Sequence, residues 1–207
     1  MNLESSKTLG GVGAILVVIG FLGLLGSGYA GLLILIGAIL TLVALKGFSD
    51  NYNETSIFNN ALYGFITLII GVVACIATMM VVVLAEISKI DVDITDPVAL
   101  QQYLVTHMEV VWDIITALLI AWVVLFIFVI ISAVFSRKSL TSLSTKTGEK
   151  IFETAGLLWL IGAVLTIILV GLILIWIAWI LIAVGFFSVK PAAQPPTAQP
   201  QPQPPPP

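Results

Sequence analysis

Charge is what this chain has least of. Only 9 % of its 207 residues are Asp, Glu, Lys or Arg, where a soluble domain carries about 25 %, so there is too little polar surface to coat a water-soluble globule. With 59 % hydrophobic residues and a mean hydropathy of +1.16, most of the chain must be solvated by the lipid bilayer. A single cysteine, Cys75, excludes an intrachain disulfide; inside an apolar run it reads as a small packing residue. His107, the only histidine, cannot form a catalytic pair with Cys75, which lies far along another apolar stretch. No nucleophile–base pair and no metal-ligand cluster can be drawn, so no enzymatic activity and no cofactor are expected. A net charge of −3 with no basic patch argues against a nucleic-acid partner. Proline is absent before Pro97, and nine of the ten prolines fall within 191–207.

What is present is long uncharged runs. Leu9 to Leu45 is 37 residues without one charge, which as a single helix would be roughly 55 Å long against a hydrocarbon core of about 30 Å. It must turn back, and Gly26-Ser27-Gly28 is the place, because glycine supplies the backbone freedom of a tight turn. The 35 uncharged residues from Ala155 to Val189 behave alike, with a weaker break at Val170-Gly171 and one steeply tilted helix as the competing reading. Between them lie two longer helices, the second ending near Phe135. Asp96-Pro97 provides a cap residue followed by proline at the first helical position, so an amphipathic segment outside the membrane is expected to lead into that second helix. The result is an all-α integral membrane helical bundle of six transmembrane helices in three hairpins, with spans near 6–25, 29–46, 57–87, 108–135, 150–169 and 171–189.

Orientation follows from the basic residues, because cytoplasmic loops retain Lys and Arg. Six spans with both termini cytoplasmic put Lys7, Lys46, Arg137, Lys138, Lys146, Lys150 and Lys190 inside and only Lys89 outside; four spans would give five against three. Lys7 beside Glu4, and a poor small-x-small site at Ser27–Ala30, make the N-terminus a mature, membrane-embedded segment rather than a cleaved leader. The expected location is the cell membrane of a prokaryote. The sequon Asn53-Glu54-Thr55 would then be cytoplasmic and unmodified.

Small residues crowd the first hairpin, where ten of the seventeen glycines lie at or before Gly47. Gly10, Ala14, Gly20, Gly23 and Gly37 are expected to let its helices approach closely, with a homo-oligomer interface as the second use of such a stripe. The tail 191–207, rich in Pro and Gln and without charge, is expected to be a disordered, partly polyproline-II cytoplasmic extension: a spacer, or a docking strand for a cytosolic protein partner. Glu86, Asp91, Asp93, Asp96, Glu109 and Asp113 gather on the outer side as a solvated acidic rim. Asp91 to Asp96 resembles the opening of a calcium loop only superficially, since Asp96 stands where its glycine belongs.

Four stretches resemble a known family: Ser5-Ser6-Lys7-Thr8-Leu9-Gly10-Gly11-Val12-Gly13, Leu45-Lys46-Gly47-Phe48-Ser49-Asp50-Asn51-Tyr52, Ile57-Phe58-Asn59-Asn60-Ala61-Leu62-Tyr63-Gly64, and 147–158 from Thr147-Gly148-Glu149-Lys150 onward. Together they are similar to the uncharacterised, largely archaeal membrane proteins grouped as domain of unknown function 996. The likeness covers about residues 4–190. It implies a multi-pass topology and carries no functional residues. The expected role is a non-enzymatic membrane scaffold or interaction protein; the alternative is a small channel or carrier for ions or small solutes, with the acidic rim at its outer mouth.

Overall fold

Backbone-closed turns and membrane-length helices set the architecture. The computed structural model describes residues 1–190 apart from 24, 25, 27, 90, 91 and 94; the tail 191–207 and the rim residue Asp91 therefore lie outside the described residues. Among the described residues there are seven α-helices and no strand: α1 (Leu3–Gly23), α2 (Ala30–Asn51), α3 (Thr55–Ile87), α4 (Pro97–Thr106), α5 (Met108–Thr147), α6 (Lys150–Leu165), a 3-10 turn (Thr166–Ile168) and α7 (Gly171–Ser188). Six of them, all but α4, are long and apolar enough to cross a membrane, α6 together with its 3-10 turn. The protein is a multi-pass helical membrane bundle.

Each connection has a local cause. At the α1/α2 turn the Gly26 N–H closes on the Gly23 carbonyl at 3.1 Å, and Gly26 and Gly28 are exposed in open space. Asn53 takes a left-handed φ of 48° between α2 and α3, a conformation Asn tolerates through its short polar side chain. Gly148, at φ 77°, stops α5, its N–H closing on the Ser144 carbonyl at 2.8 Å. The C-terminal run turns at Leu169, whose φ is 66° and whose N–H closes on the Thr166 carbonyl at 3.0 Å. α6 and α7 then pack along each other, so this run folds as a hairpin and not as one tilted helix.

Two elements differ from the sequence expectation. α5 does not end near Phe135 but continues to Thr147. Arg137 and Lys138 end the apolar stretch without ending the helix, because Ser139, Leu140, Leu143 and Ser144 keep a buried face beyond them. The segment leading into the fourth span is a separate helix. Asp96 caps α4 by accepting from the N–H groups of Val98 (2.9 Å) and Ala99 (3.3 Å), and the chain breaks at His107 before α5 begins.

The spanning helices close into a ring. α1 packs on α2 and α7, α2 on α3, α3 on α5, α5 on α6, and α6 on α7. Asn51 donates to the Met1 carbonyl (2.9 Å), Lys146 pairs with Glu54 (3.1 Å), and Gly10 lies against the Phe186 ring. These contacts gather the starts of α1, α3 and α6 and the ends of α2, α5 and α7 at one end. Seven of the eight basic residues share that end, and Lys89 alone lies at the other. The core is densest at the basic end, where the Phe186 ring stands 5.7 Å from Phe48 and 5.3 Å from Phe152, all three fully buried.

Candidate functional site

Each acidic side chain at the far end has its own local environment. Glu86, in the last turn of α3, is 5 % exposed. Its Oε1 accepts from Lys89 Nζ at 2.6 Å while its Oε2 is buried without a partner among the described residues. That bond holds the Lys89 ammonium above its usual range. Asp93 accepts from the Thr95 hydroxyl (2.7 Å) and N–H (2.9 Å), which hold its carboxyl below the usual range. The Asp96 carboxylate caps α4. Glu109 is exposed in the first turn of α5, where a helix N-terminus favours negative charge, and Asp113 is exposed one turn on, close enough to Lys89 to favour its charge. His107 stacks on Tyr103 at 4.1 Å. Among the described residues no three His, Cys, Asp or Glu side chains converge as metal ligands.

The small residues of the first hairpin sit at helix contacts. Ala14 is fully buried, a Cβ on Gly10 would stand 2.7 Å from the Phe186 ring, and one on Gly20 would stand 2.6 Å from Ile34. Within this hairpin the closest backbone approach joins Gly37 to Gly13: a Cβ at Gly13 would lie 2.7 Å from the Gly37 carbonyl oxygen, and one at Gly37 would collide with that of Gly13. Gly13 carries no signal that separates it from the small residues around it. Gly23 closes the last turn of α1 and accepts from Gly26.

The ring of helices encloses a cavity of about 470 Å³ walled by α2, α3, α5, α6 and α7, with Phe21 reaching in from α1. Toward the basic end its walls are the buried Leu45, Ser139, Leu140, Trp179 and Ile182; beyond them the Phe48–Phe186 cluster fills the bundle. Toward the other end its walls are Gly31, Leu35, Val72, Val73 and Leu172, all exposed, so the cavity opens there. Leu45 and Gly31 are 14 residues apart on one helix, about 21 Å at about 1.5 Å per residue. Trp159 and Trp179, whose rings lie 5.0 Å apart, both face this space. In the sequence they look like two tryptophans among several spread ones.

Of the five hydroxyls in the wall, all but that of Ser136 are already committed. Ser139 donates to the Ile57 carbonyl (2.6 Å) and Ser132 to that of Gly64 (2.8 Å), tying α5 to α3. Thr41 donates to Gly37 (2.9 Å) and Thr166 to Ala163 (2.6 Å) within their own segments. Among the described residues no charged side chain lines the cavity.

A family model described as a protein of unknown function (DUF996) matches residues 33–180, and the chain belongs to that family. It is 31 % identical over 189 residues to an uncharacterised protein of Methanocaldococcus jannaschii, a match that covers 91 % of this chain and 94 % of that one. No solved structure matches.

Proposed function

We propose that this protein is a non-enzymatic scaffold or interaction protein of the cell membrane, with both termini in the cytoplasm. The observation that carries the reading is the asymmetry of the two ends. Arg137, Lys138, Lys146 and Lys150 are all exposed at the basic end, three of them on the part of α5 that runs beyond its apolar stretch. There they can meet anionic lipid headgroups, at roughly 1 kcal/mol each, or an acidic face of a cytosolic partner. The Pro-rich tail 191–207 leaves from the same end and would act as the docking strand. A pull-down with the tail deleted should lose that partner; an unchanged set of partners removes the tail from the proposal.

The channel or carrier reading is weaker. A path for ions or polar solutes needs a run of unused hydrogen-bond donors or charges along it, and the cavity wall is mostly apolar, with four of its five hydroxyls already donating to carbonyls. In reconstituted vesicles no ion flux should appear, and Glu109→Gln with Asp113→Asn should change nothing. Flux that falls in that double variant would replace the scaffold with a carrier. Orientation is checked in a Cys75→Ala background: single cysteines placed at Tyr52 and Thr145 should resist a membrane-impermeant thiol reagent on intact cells and react after lysis.

A further inference from the structure

We propose that the cavity inside the helix ring is a binding site for one hydrocarbon chain of a bilayer lipid, which enters past Leu35, Val73 and Leu172. This goes beyond a scaffold role and does not depend on it. The mouth sets the source of the ligand. Val73 lies midway along an α3 stretch that has no charged residue from Ile57 to Ala85. A helix that spans the membrane with this stretch holds Val73 at hydrocarbon depth, so the medium outside the α3 side of the mouth is acyl chains and not water, while Gly31 and Leu172, at the starts of α2 and α7, mark the side toward the membrane surface. The wall sets the chemistry. Apolar cavities exclude water and take apolar guests, and this one is lined almost wholly by apolar side chains, with four of its five hydroxyls turned onto carbonyls and only that of Ser136 left over.

The frame explains why the space is not filled by collapse. α2 is held to α1 at the Gly13–Gly37 contact, and α3 is held to α5 through Ser132 and Ser139. α7 is held to α1 by the Trp176 indole N–H, which donates to the Val18 carbonyl at 3.2 Å. None of these walls can move inward without losing its anchor. A space of about 470 Å³ is far larger than the voids a packed interior leaves, and within the range of ligand pockets. Its long, narrow form suits a chain lying parallel to the helices.

The test uses the full chain in vesicles of dioleoylphosphatidylcholine, with and without bromine added across the chain double bonds. Trp112 and Trp122 are replaced by Phe, so that emission comes from Trp159, Trp176 and Trp179. Brominated chains should quench most of this emission although Trp179 is only 8 % exposed, and aqueous iodide should leave it unchanged. Ala38→Phe fills the lumen from α2 and should restore most of the lost emission; Ala61→Phe does the same from α3 should the first variant fail to fold. The proposal is overturned by emission indifferent to bromination, by quenching with iodide, or by bromine quenching that survives a folded filling variant.

Discussion

In the α1/α2 hairpin two backbones meet at Gly13 and Gly37, while in the α3/α5 pair the helices are joined by side chains, with Ser139 and Ser132 reaching across to main-chain carbonyls and Phe128 filling the space over Gly71. Burial differs to match. In the most apolar 18-residue stretch, 39 % of α1 and 33 % of α2 is buried, against 6 % of α3 and 11 % of α5. Close backbone contact gains dispersion along its whole length, which is what membrane helices must rely on where lipid competes equally for apolar surface. A pair joined by a few hydroxyls leaves most of its surface to lipid. The short helices thus form the rigid part of the ring, and the long pair is its lipid-facing arm.

The sharpest way to break this contrast is one added methyl in each pair. Gly37→Ala drives a Cβ into the Gly13 backbone, whereas at Gly64 the nearest atoms are the Ser136 hydroxyl at 3.0 Å, which can rotate away, and the Ser132 carbonyl oxygen at 3.1 Å, which needs to yield by only a few tenths of an ångström. We expect a loss of about 3 kcal/mol for the first and about 1 kcal/mol for the second in unfolding from one detergent. Equal losses would mean that the two pairs are held alike. Next in size, Ser139→Ala removes a bond between helices and should cost about 1 kcal/mol. Thr78→Val removes a bond to Ala74 within α3 and should leave the unfolding midpoint where it was.

The turns sharpen the same comparison. Gly148 is a glycine in the left-handed region, so Gly148→Ala should lower stability by about 1 kcal/mol. Leu169 holds a similar φ with a side chain, so Leu169→Gly should instead raise it, by about 0.5 kcal/mol after the added freedom of the unfolded chain is subtracted. A further small effect lies at the Glu54–Lys146 pair. The Ser56 hydroxyl, and after it Lys146, hold the Glu54 carboxyl below its ordinary 4.5. The pair therefore contributes at neutral pH and is lost as pH falls through that lowered value. In thermal scans across the acid range, Glu54→Gln should flatten the part of the pH dependence due to this group.

The hairpins were readable from the sequence because uncharged length and turn residues act locally, and so was the Asp96-Pro97 helix start. The end of α5 was misread for a physical reason. Arg137 and Lys138 end the apolar stretch, but a helix continues wherever it still has a face to bury, here Leu140 and Leu143. The stop signal was one residue, Gly148. The pairing of Gly13 with Gly37 and the convergence of Trp159 with Trp179 depend on how helices are rotated against each other, which no single stretch encodes. In sequence the acidic residues read only as one group; the division into a cap at Asp96, a turn at Asp93 and a buried pair at Glu86 is a matter of geometry.

The 3-10 turn between α6 and α7 contains no ionisable group, and neither does the Gly26–Gly28 turn. In the proposed orientation, with both termini in the cytoplasm, two of the three hairpins can therefore form during biosynthesis without any charge crossing the lipid. The remaining connection, from Glu86 to Asp113, would then bring six carboxylates and Lys89 through, so the insertion machinery would do its electrostatic work at one loop of the chain.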